Sequence, residues 1–311
     1  GLKVPLYHCF GMVMGNMMCV AFGATMVYPS EGFDPLEVLR ALEAERCTAL
    51  YGVPTMFIAE LGHADLATKD LSSLRTGIMA GSPCPIEVMR RAIDEMNMSE
   101  VTIAYGQTET SPVSTQTRTT DSVEVRVTTV GQVLPHVEAK IVDPETGETV
   151  ERGSEGEYCT RGFHVMNGYW NDPDKTAEAI DADGWMHSGD TFTYDEQGQR
   201  IMVDRYKDMV KSGGENVSSI RVEAVLHQHR SIQRAAVIGV ADDTWGEMVT
   251  ACVILVPDHD LDEAEVIAFA RERLAGFETP KRIIAVDSFP ETVGGKILKY
   301  KLRAELNKTT Q

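Results

Sequence analysis

Short apolar runs alternate with segments of helical periodicity between residues 24 and 106. The segments between the runs place apolar residues at helical spacing, and Asp34 followed by Pro35 is typical of a helix start. The predicted strands are ATMVYP (24–29), CTALYG (47–52), TGIMAG (76–81) and VTIAYG (101–106), and the predicted helices are 34–45, 54–61 and 85–96. This repeated order predicts a parallel sheet covered by helices on both faces.

Two of the predicted strands run into unusual loops. AGSPCP (80–85) follows the third strand and YGQTETSP (105–112) follows the fourth. Ligands of such sheets bind at the carboxyl ends of the strands, so these loops are the first candidates for a binding site. The apolar stretch GMVMGNMMCVAFGATMVYP (11–29) is interrupted by polar residues and glycines, and it predicts a buried helix and a strand rather than a membrane span.

The hydrophobic pattern changes near residue 115. Period-two runs separated by Gly- and Asp-rich turns predict antiparallel strands and hairpins over 115–206. From about 208 the pattern predicts a compact α+β unit, with a hairpin around SGGEN (212–216), helices at 219–229 and 262–275, and strands at 235–240, 250–256 and 282–286. The fold class is therefore α/β, with a βα sheet subdomain (1–114), a β-rich subdomain (115–206) and a small α+β domain (207–311).

The composition excludes some partners. The chain has 311 residues, of which 43% are hydrophobic, and its net charge is −18. Such a surface repels nucleic acid and anionic membranes, so an anionic ligand needs a local device such as a metal ion or a few placed cations. The six scattered cysteines form no CxxC pair, which predicts free thiols in a reducing compartment, and we expect a cytoplasmic protein. The start at GLKVPLYHCF, without Met, suggests the C-terminal piece of a longer protein; association between copies is left open.

Several common motifs fail on spacing. PETVGGK is not a phosphate-binding P-loop, because Pro290 stands where the first glycine is needed and Ile297 where Ser or Thr is needed. DHDLDE (258–263) lacks the glycine and glutamate of an EF-hand, and is better explained as a loop ending in a helix cap at Asp262. There is no G-x-S-x-G element, so a serine hydrolase is disfavoured.

The remaining signals are individually weak. Thr108 and Glu109 directly follow a predicted parallel strand and could hold a phosphate and its Mg²⁺, although a polar turn would look the same. Asp190 could accept hydrogen bonds from ribose hydroxyls, and Arg205 could bind the same sugar or a phosphate, but both also fit ordinary charged hairpins. Taken alone, His8 is best explained as a core histidine.

The order of these motifs carries a resemblance. YHCFGM, AGSPCP, AYGQTETSP, GYWNDPDKTAEAI, DGWMHSGD, DRYKDMVKSGGENV and PETVGGKILK occur in the sequence and spacing of the adenylate-forming enzymes. These are the acyl-CoA synthetases, the peptide-synthetase adenylation domains and firefly luciferase. The chain most resembles the medium- and long-chain fatty acyl-CoA synthetases, and the resemblance covers essentially all of it and about the C-terminal half of a family member.

The resemblance implies a function and a set of roles. The reaction would be ATP-dependent activation of a carboxylic acid, such as a fatty acid, to acyl-AMP, followed by transfer to CoA. Thr108 would contact the AMP phosphate, Glu109 would bind Mg²⁺, and Lys296 would be the catalytic cation between the carboxylate and the α-phosphate. The other implied positions are the nucleotide-binding residues Gly81, Ser82, Pro83, Tyr105, Gly106, Asp190, Arg205 and Lys211, the acyl-pocket residues His8 and Gly106, the hinge Lys207, and the loop 212–216.

The chemistry suits these residue types, because joining a carboxylate to a crowded α-phosphate needs cations at the point of attack. Two half-reactions at one acyl carbon also explain a hinge between a large and a small domain. Two departures matter. Gln107 occupies a position that is often Met, Ala or Ser in relatives, and the Ser/Thr/Gly-rich phosphate loop of the family is not in this sequence. We therefore expect the 311-residue chain to adenylate poorly by itself; a carrier-loading adenylation domain and a catalytically incomplete adenylate-binding fragment are the alternatives.

Overall fold

The computed structural model describes residues 1–291 and 297–309 and divides the chain into two compact units. Unit 1 comprises Gly1–Ser188 and Phe192–Met202, and unit 2 comprises Gly189–Thr191 and the chain from Val203 onward. Lys296 lies outside the described residues. Among the described residues, none of the helices combines the length and the hydropathy that a membrane crossing requires.

The first helical segment differs from its prediction. A π-helix, Phe10–Met17, continues directly as helix α1, Met18–Phe22. The π-helix buries Phe10 and Met14, but α1 has no buried residue, and Val20 and Phe22 are 71% and 78% exposed. The predicted strand at 24–29 is also wrong, since these residues form no ladder, although Val27 O accepts a hydrogen bond from Leu2 N at 2.9 Å. Hydropathy indicates that burial of a segment would be favourable. Whether the segment is buried or paired depends on another element packing against it, which hydropathy does not indicate.

The alternating pattern that follows is confirmed. The elements are α2 (Pro35–Ala44), β1 (Ala49–Gly52), α3 (Pro54–Leu61), β2 (Thr76–Ala80), α4 (Ile86–Met96) and β3 (Glu100–Tyr105). Asp34 caps α2 as predicted, because its carboxylate accepts hydrogen bonds from the backbone N–H groups of Leu36 and Glu37. The largest core cluster of unit 1 lies between these elements and includes Leu39, Phe57, Met79, Met89 and Met98.

The sheet brings the two candidate loops together. Strands β1, β2 and β3 are parallel neighbours, and Ala80 at the end of β2 is in register with Ala104 near the end of β3. The loops that begin at Gly81 and Gly106 therefore leave the same edge of the sheet. Two short antiparallel strands, β4 (Thr115–Gln116) and β5 (Gln132–Val133), extend this sheet beyond β3.

Residues 123–205 supply a second sheet and two helices. The four-stranded sheet has the order β6 (Val137–Val142), β7 (Gly156–Gly162), β8 (Met186–Tyr194) and β9 (Arg200–Arg205), and β6 pairs with β7 in antiparallel register. Helices α5 (Val123–Thr128) and α6 (Pro173–Ala179) were not predicted. Ser122 caps α5 and Asp172 caps α6, with Pro173 at the first position of α6, so local helix-start signals were present in both places.

Unit 2 has the predicted α+β arrangement. Its elements are β10 (Val210–Ser212), β11 (Glu215–Val217), α7 (Ser219–Leu226), β12 (Ile232–Asp242), β13 (Gly246–Leu255), α8 (Glu263–Arg271), β14 (Arg282–Ala285) and α9 (Lys299–Thr309). The sheet order is β11-β10-β13-β12, and β14 pairs with β13 in parallel. The predicted hairpin at 212–216 is confirmed, and its turn residues Gly213 and Gly214 both have positive φ, as a tight two-residue turn requires. Asp262 caps α8 as predicted.

Candidate active site

The loop after β2 has the sharp bend that its sequence predicts. Gly81 has a φ of +95°, a region that side-chain-bearing residues rarely adopt. Ser82 and Pro83 are exposed, whereas Cys84 turns inward and is buried against Met79, with the two sulfurs 3.4 Å apart. Burial raises the pKa of Cys84 to about 12, so this thiol is an inert packing group. Gly81–Pro83 therefore face solvent, and the buried Cys84 side chain fixes the loop to the core.

The turn after β3 is held by a close backbone approach. A Cβ placed on Gly106 would lie 1.8 Å from the carbonyl oxygen of Pro112, so only glycine fits. Thr110 fixes the other side of the turn, because its hydroxyl contacts the carbonyl oxygens of Gln107 and Pro112 at 3.0 and 3.1 Å and lies 3.0 Å from Gln107 N. The short 3₁₀ turn Thr108–Thr110 is thereby set at the end of the strand. Thr108 and Glu109 therefore lie in a turn that is held by close backbone packing at Gly106 and by the hydrogen bonds of Thr110.

Glu109 has a partner that the sequence did not single out. The hydroxyl of Tyr169 donates a hydrogen bond of 2.8 Å to Glu109 Oε1, and Met166 N donates one of 2.9 Å to the Glu109 carbonyl oxygen. Partial burial and this carboxylate raise the pKa of Tyr169 to about 12, so the phenol stays a donor over the physiological range. Tyr169 lies in GYWNDPDKTAEAI, a motif that contributed to the family resemblance only through its position among the other motifs.

Thr108 lies next to the segment of unit 1 that contains the acyl-pocket candidate His8. Its hydroxyl is 3.6 Å from the thiol of Cys9, and that thiol is 3.8 Å from Nδ1 of His8. His8 Nδ1 also accepts a hydrogen bond of 3.1 Å from Phe10 N at the start of the π-helix. His8 is exposed, so its interpretation as a core histidine is wrong. Cys9 is a second neighbour that sequence reasoning missed, since an isolated cysteine gives no positional signal.

Tyr105 is half-buried in an aromatic cluster. Its ring packs edge-on against Phe192 and Tyr158, with centroid separations of 4.8 and 5.6 Å. Tyr158 is fully buried, and its hydroxyl lies 2.7 Å from Ser114 Oγ. The cluster fixes the orientation of the Tyr105 ring at the end of β3.

In unit 2 the two predicted ribose-binding residues are brought together. Asp190 Oδ1 lies 3.6 Å from Arg205 Nε, and Asp190 is only 4% exposed. The next residue back, Asp204, is also buried and accepts hydrogen bonds from the backbone N–H groups of Arg205 and Ser219. The arginine therefore follows an anchored residue and faces a buried carboxylate, which limits the directions its guanidinium can take.

The hinge candidate Lys207 and the nucleotide candidate Lys211 both lie on the surface of unit 2. Lys207 is exposed, and its carbonyl oxygen accepts a long hydrogen bond of 3.5 Å from Arg303. Lys211 is exposed as well, its ammonium lies 5.6 Å from the ring centre of Tyr206, and its backbone N–H donates to Glu247 at 2.8 Å. Their predicted roles stay predictions.

Charged contacts flank the segment that contains Lys296. On its N-terminal side, Arg234 forms an ion pair with Glu291. Leu298 N, which follows the segment, donates a hydrogen bond of 2.8 Å to Pro290 O, which precedes it. On its C-terminal side, Lys299 Nζ lies 2.7 Å from Glu223 Oε1 and 2.6 Å from Ser219 Oγ. Sequence reasoning missed this set, because Lys299 looks like one more surface charge in a basic run.

The fold and these loops define a class of protein, and comparison with known families agrees. The profile of the AMP-binding enzymes matches residues 2–170, and that of the AMP-binding enzyme C-terminal domain matches residues 221–296. The chain belongs to the AMP-binding enzyme family, which confirms the resemblance to the adenylate-forming enzymes.

Individual relatives include several acyl-CoA ligases. YngI of Bacillus subtilis (strain 168), whose name contains the words acyl-CoA synthetase, is 50% identical over 302 residues, which are 97% of this chain and 55% of that protein. The mitochondrial medium-chain acyl-CoA ligase ACSF2 of Homo sapiens is 42% identical over 99% of this chain and 50% of its own length. The chain spans about half the length of the curated relatives it matches.

Solved structures resemble the chain over nearly its whole length. ATP-bound MatB from Rhodopseudomonas palustris has a TM-score of 0.90 and 33% identity, covering 100% of this chain and 60% of that one. The anthranilate CoA ligase AuaEII in complex with anthranoyl-AMP has a TM-score of 0.89 and 28% identity, covering 99% of this chain and 59% of that one. Both likenesses agree with the α/β fold class that the sequence predicts.

Proposed function

We propose that this chain is the C-terminal portion of an AMP-forming acyl-CoA synthetase. The reaction joins a carboxylic acid to the α-phosphate of ATP, releases pyrophosphate, and then transfers the acyl group from AMP to the thiol of CoA. The observation that carries the proposal is the rigid turn after β3, where Gly106 and Thr110 hold Thr108 and Glu109 at the edge of a parallel sheet. Family membership supports it, and the relatives named as acyl-CoA ligases support the choice of thiol.

Unit 1 supplies the nucleotide and metal contacts. We assign Thr108 to the AMP phosphate and Gly81, Ser82 and Pro83 to the adenine, because the two loops leave one sheet edge. Glu109 suits Mg²⁺, since this ion takes oxygen ligands and is often bound by one or two carboxylates together with substrate phosphates. When bound, Mg²⁺ would neutralise phosphate charge during the attack. Tyr169 holds the Glu109 carboxylate in place for that purpose.

We place the sugar contacts and the catalytic cation in unit 2. We assign Asp190 and Arg205 to the ribose hydroxyls, Lys211 to the nucleotide, Lys207 to the hinge, and Lys296 to the carboxylate and α-phosphate. The division at 1–114, 115–206 and 207–311 belongs to this proposal. An ammonium at the point of attack offsets the repulsion between two anions, which is the main obstacle to adenylation.

The acyl substrate is proposed from the relatives. The names of the ACSF2 ligases favour a medium-chain fatty acid. We assign His8 and Gly106 to the acyl pocket, because both lie beside the turn that holds Thr108. All six cysteines are free, which agrees with a reducing compartment such as the cytoplasm.

The proposal is tested by separating the two half-reactions in the native protein that contains this chain. Lys296→Ala should lower medium-chain-acid-dependent pyrophosphate exchange by about 10²–10³-fold, the size expected for one transition-state charge contact. It should leave thioester formation from supplied acyl-AMP and CoA within a few-fold. Lys301→Ala is the matched control, because Lys301 is an exposed lysine of the nearby helix α9 and should change neither reaction.

Other outcomes point to other functions. Equal loss in both half-reactions would remove Lys296 from the adenylation role. Transfer to a carrier-protein thiol in preference to CoA would favour an adenylation domain. For the 311-residue chain by itself we expect weak pyrophosphate exchange but calorimetric binding of an acyl-adenylate analogue; absence of that binding would refute the site.

A further inference from the structure

Three potential metal ligands meet between β7 and β8, in a place that the proposed reaction does not use. Glu157 and Cys159 stand two residues apart on β7, so their side chains point to the same face of the sheet. His187 lies on β8, the neighbouring strand. Its Nδ1 is 2.8 Å from Glu157 Oε2 and 3.5 Å from Cys159 Sγ, and the three ligand atoms all lie within 4.8 Å of one another.

The surroundings of this cluster resemble the outer shell of a metal site. Asp181 Oδ2 lies 3.7 Å from the other ring nitrogen of His187, Nε2, so Nδ1 is left to face the thiol and the Glu157 carboxylate. Asp181 is itself held, because its Oδ1 accepts hydrogen bonds from the backbone N–H groups of Asp183 and Trp185. A carboxylate behind the imidazole fixes the ring and its tautomer in many metalloproteins, and raises the basicity of the ligand nitrogen.

One cation stands beside the cluster. Lys140 is the register partner of Cys159 on β6, and its ammonium lies 4.5 Å from the ring centre of Trp185, which Arg161 also contacts. Burial and the neighbouring Glu157 carboxylate outweigh this cation and raise the pKa of the Cys159 thiol to about 12, so the thiol keeps its proton until a metal ion displaces it. Cys159 is buried, while Glu157 and His187 are partly exposed, so the cluster has both a dry side and a side open to an entering ion.

We propose that Glu157, Cys159 and His187 form a binding site for one borderline-soft divalent metal ion, with Zn²⁺ as its natural occupant and water as the fourth ligand. Thiolate and imidazole together select zinc-like ions over Mg²⁺, which prefers oxygen alone. Binding replaces the thiol proton by the metal, and that proton leaves to solvent, while the imidazole proton that bridges His187 Nδ1 to Glu157 Oε2 moves to Nε2 on the side of Asp181. The bound ion would cross-link β7 to β8. This site is separate from the Mg²⁺ assigned to Glu109, and it does not depend on the proposed reaction.

The test is metal binding by the full chain, with Co²⁺ as a spectroscopic probe and Zn²⁺ as competitor. After chelator treatment and dialysis, one equivalent of Co²⁺ should give a sulfur-to-cobalt charge-transfer band, which one equivalent of Zn²⁺ should remove. Cys159→Ala should abolish the band, and His187→Gln should weaken binding by at least about 10-fold, a loss typical of damage to a ligand set. Cys252→Ala is the matched control, because Cys252 is also a buried free thiol, and it should bind as the wild type does.

A second measurement guards against misfolded variants. Zn²⁺ should raise the thermal midpoint of the wild type and of Asp181→Asn, with a smaller shift in Asp181→Asn because the ion would still bind but less tightly. His187→Gln, at a partly exposed position, should fold normally and show little or no shift. Failure of the wild type to bind Co²⁺ or Zn²⁺ would overturn the proposal. A band or a midpoint shift of unchanged size in Cys159→Ala and His187→Gln would overturn it too, since the metal would then bind elsewhere.

Discussion

Gly106→Ala tests the rigid turn, which carries the proposed function. The added Cβ would lie 1.8 Å from Pro112 O, whereas real Cβ contacts essentially never fall below 3.0 Å, so one of the two groups must move by about 1.2 Å. The moving backbone includes the two residues that precede Thr108. A displacement of about 1 Å at a reacting centre can cost about 10²-fold in rate, and we expect a loss of that order in adenylation.

The assay is acid-dependent pyrophosphate exchange in the native protein, with thermal unfolding measured in parallel. Gly32→Ala is the matched control, because Gly32 lies in unit 1, has no close neighbour within 4 Å, and should tolerate a methyl group. The expected result is a large rate loss with a folded protein. Retention of near-wild-type exchange by Gly106→Ala would refute the claim that backbone packing sets the positions of Thr108 and Glu109.

Three further predictions concern stability. Lys3→Met should destabilise unit 1 by about 3–5 kcal/mol in urea unfolding, because it leaves Glu60, whose side chain is 0% exposed, as an unpaired buried carboxylate. Tyr169 should make the free energy of unfolding fall at alkaline pH, because its folded-state pKa of about 12 exceeds the ordinary value of 10.0. Its contribution to stability is complete below pH 10 and is lost as the pH rises from 10 to 12. Tyr169→Phe should flatten that part of the pH profile. Gly214→Ala should lower the free energy of unfolding by about 1–2 kcal/mol, because φ at this position is +87°. No neighbour lies within 4 Å of an added Cβ, so φ alone causes the loss, and Gly214→Asn should lose less.

Each of these predictions has its own control. Arg40→Met removes an exposed helix ion pair with Glu37 and should change the free energy of unfolding by less than about 1 kcal/mol; a loss as large as that of Lys3→Met would contradict the argument from burial. An alkaline profile of Tyr169→Phe that matches the wild type would deny Tyr169 its role. Equal losses for Ala and Asn at Gly214 would show that φ is not the cause.

The sequence predicted elements well where local signals and the tertiary context agree. Pro54–Leu61 and the neighbouring strands follow from apolar spacing and helix-start residues, and the structure repeats them nearly residue for residue. The helix at VEVRVT (123–128) was not predicted, and its alternating β-branched residues are more typical of a strand. There the segment is a helix, because Ser122 caps it and Arg126 is buried, donating to carbonyl oxygens of Ser99, Val101 and Asp121. Such tertiary contacts override propensity and leave no trace in a local window.

Site prediction shows the same limit. Motif order located Thr108, Glu109, Asp190 and Arg205, and the structure brings the members of each pair close within its own unit. The partners Tyr169 and Lys299 were missed because their contacts join positions 60 and 80 residues apart along the chain, to Glu109 and Ser219. Side-chain hydrogen bonds between residues so far apart in the chain depend on how the elements pack. They cannot be read from a single sequence.

The exposed face of α1 has a consequence for handling the protein in solution. Val20 and Phe22 present apolar surface to water, and the net charge of −18 opposes contact between such surfaces on different molecules. Salt shortens the range of that repulsion to about 3 Å at 1 M ionic strength, while kosmotropic salts strengthen apolar attraction. The colloidal behaviour of the chain should therefore be set by ionic strength: dispersed molecules in dilute buffer, and reversible clusters held through α1 in concentrated sulfate.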